Sequence, residues 1–167
     1  MGLATSAKPE DLPDSVSAEE LASWDTWRQR RRAAFTERLK QAEASHPNAN
    51  EQEIQLICKN ETEILKKRLC GVPFQSSIFL PGSPVSMHLK REMESDLAKH
   101  GLHRLTFDWN SSPSQVCLWN TVTVDITMCH WLLWAKQTNV EVTELTVPGI
   151  KACFIEWIAN QGTCEHL

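Results

Sequence analysis

Apolar residues recur every three or four positions along most of the chain, and this spacing predicts a mainly α fold of about five helices. The first apolar stripe runs from Leu21 to Ala42. It begins behind Ser17-x-x-Glu20, a capping box in which the serine and glutamate side chains satisfy free backbone N–H groups of the first turn. Pro47 ends the helix, because the residue before a proline is displaced from the helical region.

A second helix is predicted to begin at Asn50-x-x-Glu53 and to end before Gly71. The short connection between the first two helices predicts an antiparallel N-terminal hairpin over 17–71. Residues 72–83 form a connector with apolar anchors. A third helix is then expected from Ser83-Pro84, with proline at the first helical position, to Gly101.

The stretch from His103 to Gln137 holds four of the seven tryptophans and is expected to form the core on which the hairpin packs. One short extended segment is predicted near 102–109, where apolar and polar residues alternate. The segment TVTVDITM within 114–137 also alternates like a strand, but a helical period continues beyond it. The pattern therefore favours a fourth helix from about Ser114 to Gln137.

Pro148 is predicted to start a final helix that Gly162 closes. In terms of domains, residues 1–16 are expected to be a disordered tail, because prolines and acids leave little to bury. Residues 17–167 then form a single helical domain, in which a Trp-rich core region over 84–162 follows the hairpin.

Composition points to a soluble intracellular protein, in the cytoplasm or nucleus. The N-terminus lacks the apolar core of a signal peptide, and no apolar run is long enough to span a membrane. We therefore expect no membrane partner, and we expect the six cysteines to be reduced and buried. The net charge of −4 predicts neither strong attraction to nucleic acid nor strong repulsion from it.

One group of residues carries a family resemblance. The segment Arg104-Leu-Thr-Phe-Asp-Trp109, followed by Trp119-Asn120 and His130-Trp131, resembles a group of basidiomycete fungal proteins with an R-x-T-F-D-W, W-N and H-W pattern. The resemblance covers about a third of the chain, from near Leu97 to Ala135. It implies a fungal origin, and it implies no activity, cofactor or site.

Metal and nucleophile sites are disfavoured by spacing. The cysteine pairs at 58 and 70 and at 117 and 129 lack the close spacing of structural zinc ligands, so no metal site and no cofactor are expected. Asp125, Cys129 and His130 contain the residue types of a nucleophilic triad. They point in different directions from one helix, whereas catalysis requires a base within hydrogen-bonding distance of the nucleophile.

Two carboxylates offer a third hypothesis. Asp108 and Asp125 could hold Mg²⁺ in a nuclease-like site, as paired carboxylates do in phosphodiester cleavage. The simpler interpretation of Asp108 is that it caps the turn Asn110-Ser-Ser-Pro113, because aspartate side chains hydrogen-bond to the backbone that follows them.

The basic run of the first helix is the strongest functional signal. Arg28, Arg30, Arg31 and Arg32 form a candidate nucleic-acid-binding face, because clustered cations neutralise phosphates. The competing interpretation is a solvated helix face. Since no motif assembles an acid, base, nucleophile or metal, the sequence favours a non-catalytic module that binds a protein partner or has a structural role. A DNA-associated protein is the alternative, and a Mg-dependent nuclease is the third hypothesis.

Overall fold

The computed structural model describes residues 13–68, 71–76, 85–111, 117–140 and 146–164, with the backbone alone described at 146, 159 and 161–164. Within these ranges the chain forms five helices: α1 (Ala18–Ala44), α2 (Glu51–Arg68), α3 (Met87–Lys99), α4 (Leu118–Gln137) and α5 (Thr146–Cys164). The prediction of a mainly α fold is confirmed. No helix among the described residues combines the length and the apolar character needed to cross a membrane.

The first two helices form the predicted antiparallel hairpin. Both capping boxes are present, since Ser17 and Glu20 exchange hydrogen bonds at the start of α1 and Asn50 and Glu53 do so before α2. The side-chain contacts between the two helices show that they are antiparallel. Arg38 pairs with Glu61, and Glu43, further along α1, accepts from Cys58, which comes earlier in α2. α2 contributes no buried residue, so this helix packs on α1 without entering the core.

α4 is the central helix of the core and is a helix throughout its described length. Seven of its residues are buried: Trp119, Thr123, Val124, Ile126, Met128, His130 and Ala135. The backbone resolves the ambiguity between strand and helix, because the segment TVTVDITM lies wholly within the α-helix Leu118–Gln137. One cluster packs α1 and α3 against α4, and a second packs α5 against it.

The helix ends differ from the predicted ones in several places. α3 begins at Met87, where Ser86 accepts a hydrogen bond from Leu89 N, and not at Pro84. α5 begins at Thr146, so Pro148 lies in its first turn, where a missing N–H leaves no helical hydrogen bond unmade. Gly162 lies inside α5 and does not close it. Residues 77–84 and 112–116, with most of the connector and Ser114, lie outside the described residues.

Residues 102–109 form no strand among the described residues, although an extended segment is predicted there. The apolar-polar alternation fails at Thr106, which is fully buried. Its hydroxyl donates to Asp14 O at 2.6 Å, and its carbonyl accepts from Trp119 Nε1 at 2.9 Å. The segment is shaped by such side-chain contacts and not by a regular ladder of backbone hydrogen bonds.

Residues 13–17, here the N-terminal segment, are held against the segment 104–110. Val16 N donates to Phe107 O at 3.0 Å, and Val16 is buried in the core. Trp109 Nε1 donates to Pro13 O at 2.8 Å, and Trp109 N donates to Ser15 Oγ at 3.1 Å. Residues 13–16 thus belong to the packed domain, although the sequence pattern places them in a disordered tail. Residues 1–12 lie outside the described residues.

Close backbone approaches fix Gly71 and Val72 against the end of α3. Val72 N donates to Ala98 O at 3.1 Å, and a Cβ added at Gly71 would lie 2.5 Å from the backbone of Ala98. Phe74 packs on the core, as expected for one of the apolar anchors of the connector. The ends of α2 and α3 are therefore held close to each other and to α1.

Candidate functional site

A groove of about 420 Å³ lies where α1 meets the C-terminal ends of α2 and α3. We refer to it as the cationic groove. It is lined by the side chains Trp24, Trp27, Arg28, Arg31, Phe35, Lys66, Lys99, His100 and Val122. The lining thus combines aromatic rings with cations that come from three different helices.

The spacing of residues on α1 explains five of the nine lining residues. Trp24, Trp27, Arg28, Arg31 and Phe35 recur every three or four positions, so they share one face of the helix. The guanidinium groups stack on the rings of this face. Arg28 Cζ lies 4.8 Å from the centroid of Trp24, and Arg31 Cζ lies 5.2 Å from that of Trp27 and 5.6 Å from that of Phe35. Cation–π attraction and packing of the arginine stems stabilise this arrangement.

The floor of the groove is rigid because both tryptophans are anchored. Trp24 is buried, its Nε1 donates to His100 O at 2.9 Å, and its ring meets that of Trp119 edge-on at 5.2 Å. Trp27 packs on Gly101, where a Cβ would lie 2.4 Å from the ring. Gly101 also has a φ of 83°, a conformation that favours glycine.

Lys66 and Lys99 extend from the last turns of α2 and α3, where cations suit the helix dipole. Lys66 Nζ lies 2.8 Å from Glu63, and Lys99 Nζ lies 2.7 Å from Asp96. Both lysine side chains are 58% exposed, and exposed pairs of this kind contribute little to stability. Both lysines can therefore exchange these partners for an incoming anion at small cost.

The acids beside the groove are held in their charged forms. Hydrogen bonding to Lys66 lowers the pKa of Glu63. Burial raises the pKa of Asp96, but hydrogen bonds from Lys99 and His130 outweigh burial, so the pKa is lowered overall. Asp25 lies 3.5 Å from Arg28 Nη1. The rim of the groove consequently carries ion pairs, each of one acid and one base, and not an uninterrupted positive surface.

The structure divides the predicted basic run between different surfaces. Arg28 and Arg31 line the cationic groove. Arg30 lines a separate shallow depression with Ala22, Ser23, Thr26 and Trp27, and Arg32 is exposed. Sequence reasoning missed Lys66 and Lys99, which complete the groove. The available signal was their place in the last turn of a helix, but nothing in the sequence brings those two turns to α1.

The proposed nucleophile triad is not assembled. Cys129 is exposed, and Asp125 is exposed and pairs with Lys151. His130 is buried, and its Nε2 lies 3.0 Å from Asp96 Oδ2 on α3. No group positions the histidine beside the thiol, so these residues cannot perform nucleophilic catalysis as one unit.

The two carboxylates of the nuclease hypothesis contact different groups. Asp108 Oδ1 accepts from Asn110 N at 3.2 Å, which confirms the interpretation that this side chain caps its own turn. Its second oxygen accepts from Cys117 Sγ at 3.7 Å. Asp125 instead pairs with Lys151 on α5. Among the described residues, no group of three or more potential ligands is arranged to hold a metal ion.

The four described cysteines are free, and none is buried. Cys129 and Cys153 are exposed, and Cys58 and Cys117 are half-buried, so the prediction of buried thiols is wrong at these positions. Burial raises the pKa of Cys117, and the nearby Asp108 raises it further. A raised pKa keeps this thiol protonated, which is the opposite of what a catalytic nucleophile requires.

A second polar cluster joins the start of α1 to Arg104. Glu20 accepts from Arg104 through both carboxylate oxygens, and His103 Nε2 lies 2.6 Å from Glu20 Oε1. Arg104 also donates to the carbonyls of Asp14 and Ser15. These hydrogen bonds all form within the chain, so the cluster holds the N-terminal segment against Arg104 and the start of α1.

No protein-family model matches the chain, and neither a curated protein nor a solved structure does.

Proposed function

We propose that the chain is a non-catalytic protein-interaction module and that the cationic groove is its binding surface. The observation that carries this proposal is the convergence of Arg28, Arg31, Lys66 and Lys99 from three helices on an anchored aromatic floor. Aromatic and arginine side chains beside a groove are typical of the centres of protein interfaces. Rigid floors also favour binding, because less conformational freedom is lost when a partner docks.

The arrangement of reactive groups supports binding over catalysis. A catalytic site places a base within hydrogen-bonding reach of the group it activates. Among the described residues, the candidate acids, bases and thiols instead cap turns, form ion pairs between helices or face solvent. The cationic groove contains cations and rings that can hold a partner, and the one imidazole of its lining, His100, donates from Nδ1 to Asp96 O.

The test is affinity capture with the intact chain as bait, from nuclease-treated extracts of cells that express it. The matched bait carries Lys66→Glu and Lys99→Glu, which reverse two exposed charges of the groove without removing packed atoms. We expect a defined protein to be retained by the wild-type bait and lost from the variant. Equal retention by both baits, or no retained protein, would contradict the proposal.

Binding to nucleic acid is the second candidate function, and one observation favours it. Arg30 and Arg32 are exposed on the same helix that carries Arg28 and Arg31, so the four cations surround much of its circumference. The discriminating measurement is a gel shift with labelled duplex DNA at about 50 mM and about 200 mM salt, because contacts with phosphates weaken steeply as salt rises. A complex that forms at the lower salt and dissociates at the higher salt would favour this alternative.

A further inference from the structure

We infer that the cationic groove binds a short acidic segment of a partner protein, in which an apolar side chain lies among the carboxylates. This inference rests on the proposed function and names the chemical class of the partner. The chemistry of the lining suggests it. Val122 and the parts of Trp27 and Phe35 that line the groove beside Arg31 offer apolar surface at the floor, and cations from α1, α2 and α3 surround that surface. A ligand that complements both parts has an apolar centre and negative groups around it.

The stacked arginines favour a carboxylate over a nucleic-acid base. Arg28 covers the ring of Trp24, and Arg31 lies over the rings of Trp27 and Phe35. Binding of single-stranded nucleic acid depends on bases that stack on open aromatic faces, and here guanidinium groups occupy such faces. A guanidinium that is stacked on a ring binds through the N–H groups at its edge, and their planar fork matches a carboxylate.

The charges around the groove favour a short acidic segment over a continuous polyanion. Asp25, Glu63 and Asp96 each lie beside one of the cations of the groove. A long phosphate backbone would pass all of these carboxylates, in a chain whose net charge is −4. A peptide can place a few carboxylates at the lysines and keep its other positions uncharged. A groove of about 420 Å³ also accommodates only a few side chains.

The experiment selects phage-displayed random short peptides on the purified, intact chain. Enriched peptides are then synthesised with a fluorescent label, and their affinity is measured by anisotropy. Three proteins are compared: the wild type, the groove variant Lys66→Glu/Lys99→Glu, and the control variant Arg30→Glu/Arg32→Glu. The control reverses the same number of charges on a neighbouring surface. Circular dichroism and unfolding temperature establish that each variant folds, and the milder Lys66→Gln/Lys99→Gln protein replaces the groove variant if it does not.

We expect the enriched peptides to combine Asp or Glu with an apolar residue. The groove variant should bind them at least about tenfold more weakly, and the control variant should bind them within about threefold of the wild type, because charge reversal acts most strongly in direct contact. Replacing the peptide acids by their amides should cause a similar loss.

The other outcomes separate the inference from the proposed function. Enriched peptides without acids, or peptides that the groove variant binds normally, would overturn the inference and leave a protein-interaction module standing. If no peptide is enriched and a labelled oligonucleotide binds in a manner that depends on Lys66 and Lys99, both the inference and the proposed function are overturned. If neither probe binds, the inference is overturned, and the affinity capture alone decides the proposed function.

Discussion

Arg104 and Glu20, which are 84 positions apart in the sequence, are joined by two parallel hydrogen bonds: Nε to Oε1 at 2.9 Å and Nη2 to Oε2 at 3.0 Å. Glu20 also closes the capping box of α1 by accepting from Ser17 N at 2.7 Å. One carboxylate therefore fixes the start of the first helix and attaches it to the segment before α4. The side chain of Glu20 is only 23% exposed, so water screens this pair less than it screens an exposed pair such as Lys66 and Glu63.

The first prediction concerns pH. Hydrogen bonding from Arg104 lowers the pKa of Glu20 from 4.5 to about 2. Because the folded-state pKa lies below the unfolded one, the stabilisation is fully present above pH 4.5 and is lost as pH falls from about 4.5 to about 2. A pKa shift of this size corresponds to a contribution of about 3 kcal/mol to the free energy of unfolding, and partial exposure of the pair reduces this contribution to about 2 kcal/mol.

Urea unfolding between pH 2 and pH 7 checks this prediction. Glu20→Gln should be less stable than the wild type at neutral pH, and the difference should shrink through the window between the two pKa values. Glu19→Gln, at the exposed neighbouring position, serves as the control and should follow the wild-type curve. A Glu20→Gln protein whose deficit stays constant down to pH 2 would show that ionisation of Glu20 does not stabilise the fold.

Local sequence patterns predicted the helices well, because helix formation depends on neighbours three and four positions apart. Glu20 illustrates the limit: its capping role follows from Ser17 nearby, but its pairing with Arg104 has no local signal. Thr106 shows the same limit. It occupies a polar position in an alternating segment. It is buried because the N-terminal segment covers it and accepts a hydrogen bond from its hydroxyl group.

The candidate site was predictable only in part for the same reason. The arginine run was evident, and so was the apolar stripe that Arg28 and Arg31 share with the tryptophans. Lys66 and Lys99 reach the groove because close backbone contacts at Gly71 hold the ends of α2 and α3 together. Such contacts between distant segments depend on the tertiary packing, so a helical period in the sequence does not reveal them.

The second prediction tests the two parallel hydrogen bonds from Arg104 to Glu20. Arg104→Lys should cost about 2 kcal/mol, because an ammonium group cannot reproduce two parallel hydrogen bonds to Glu20. It should also loosen the N-terminal segment, whose Asp14 and Ser15 carbonyls accept from the guanidinium. Hydrogen exchange at the Val16 amide, which donates to Phe107 O, reports this loosening. Arg91→Lys on the exposed surface of α3 is the control, and equal exchange in both variants would refute the role of Arg104.

The third prediction uses two glycines as a matched pair. Gly101→Ala should destabilise the fold by about 2 kcal/mol or more, because the residue has a φ of 83° and its new Cβ would overlap the ring of Trp27. Gly149→Ala should stabilise by about 0.5–1 kcal/mol, because this glycine lies inside α5 and a Cβ there meets nothing within 4 Å. Thermal unfolding measures both, and changes of equal sign would contradict the geometry.

The fourth prediction concerns Asn120, which holds the turn before α4. Its Oδ1 accepts from Asp108 N at 2.7 Å, and its Nδ2 donates to Asp108 O and to Ser111 Oγ. Asn120→Leu should lower the free energy of unfolding by about 2–3 kcal/mol, because the branched shape is kept while partly buried backbone groups lose their partners. Asn120→Asp retains the acceptor and loses both donors, so its stability should lie between that of Asn120→Leu and that of the wild type. If urea unfolding finds Asn120→Leu as stable as the wild type, water replaces the amide, and the turn is stabilised by Asp108 and its own backbone alone.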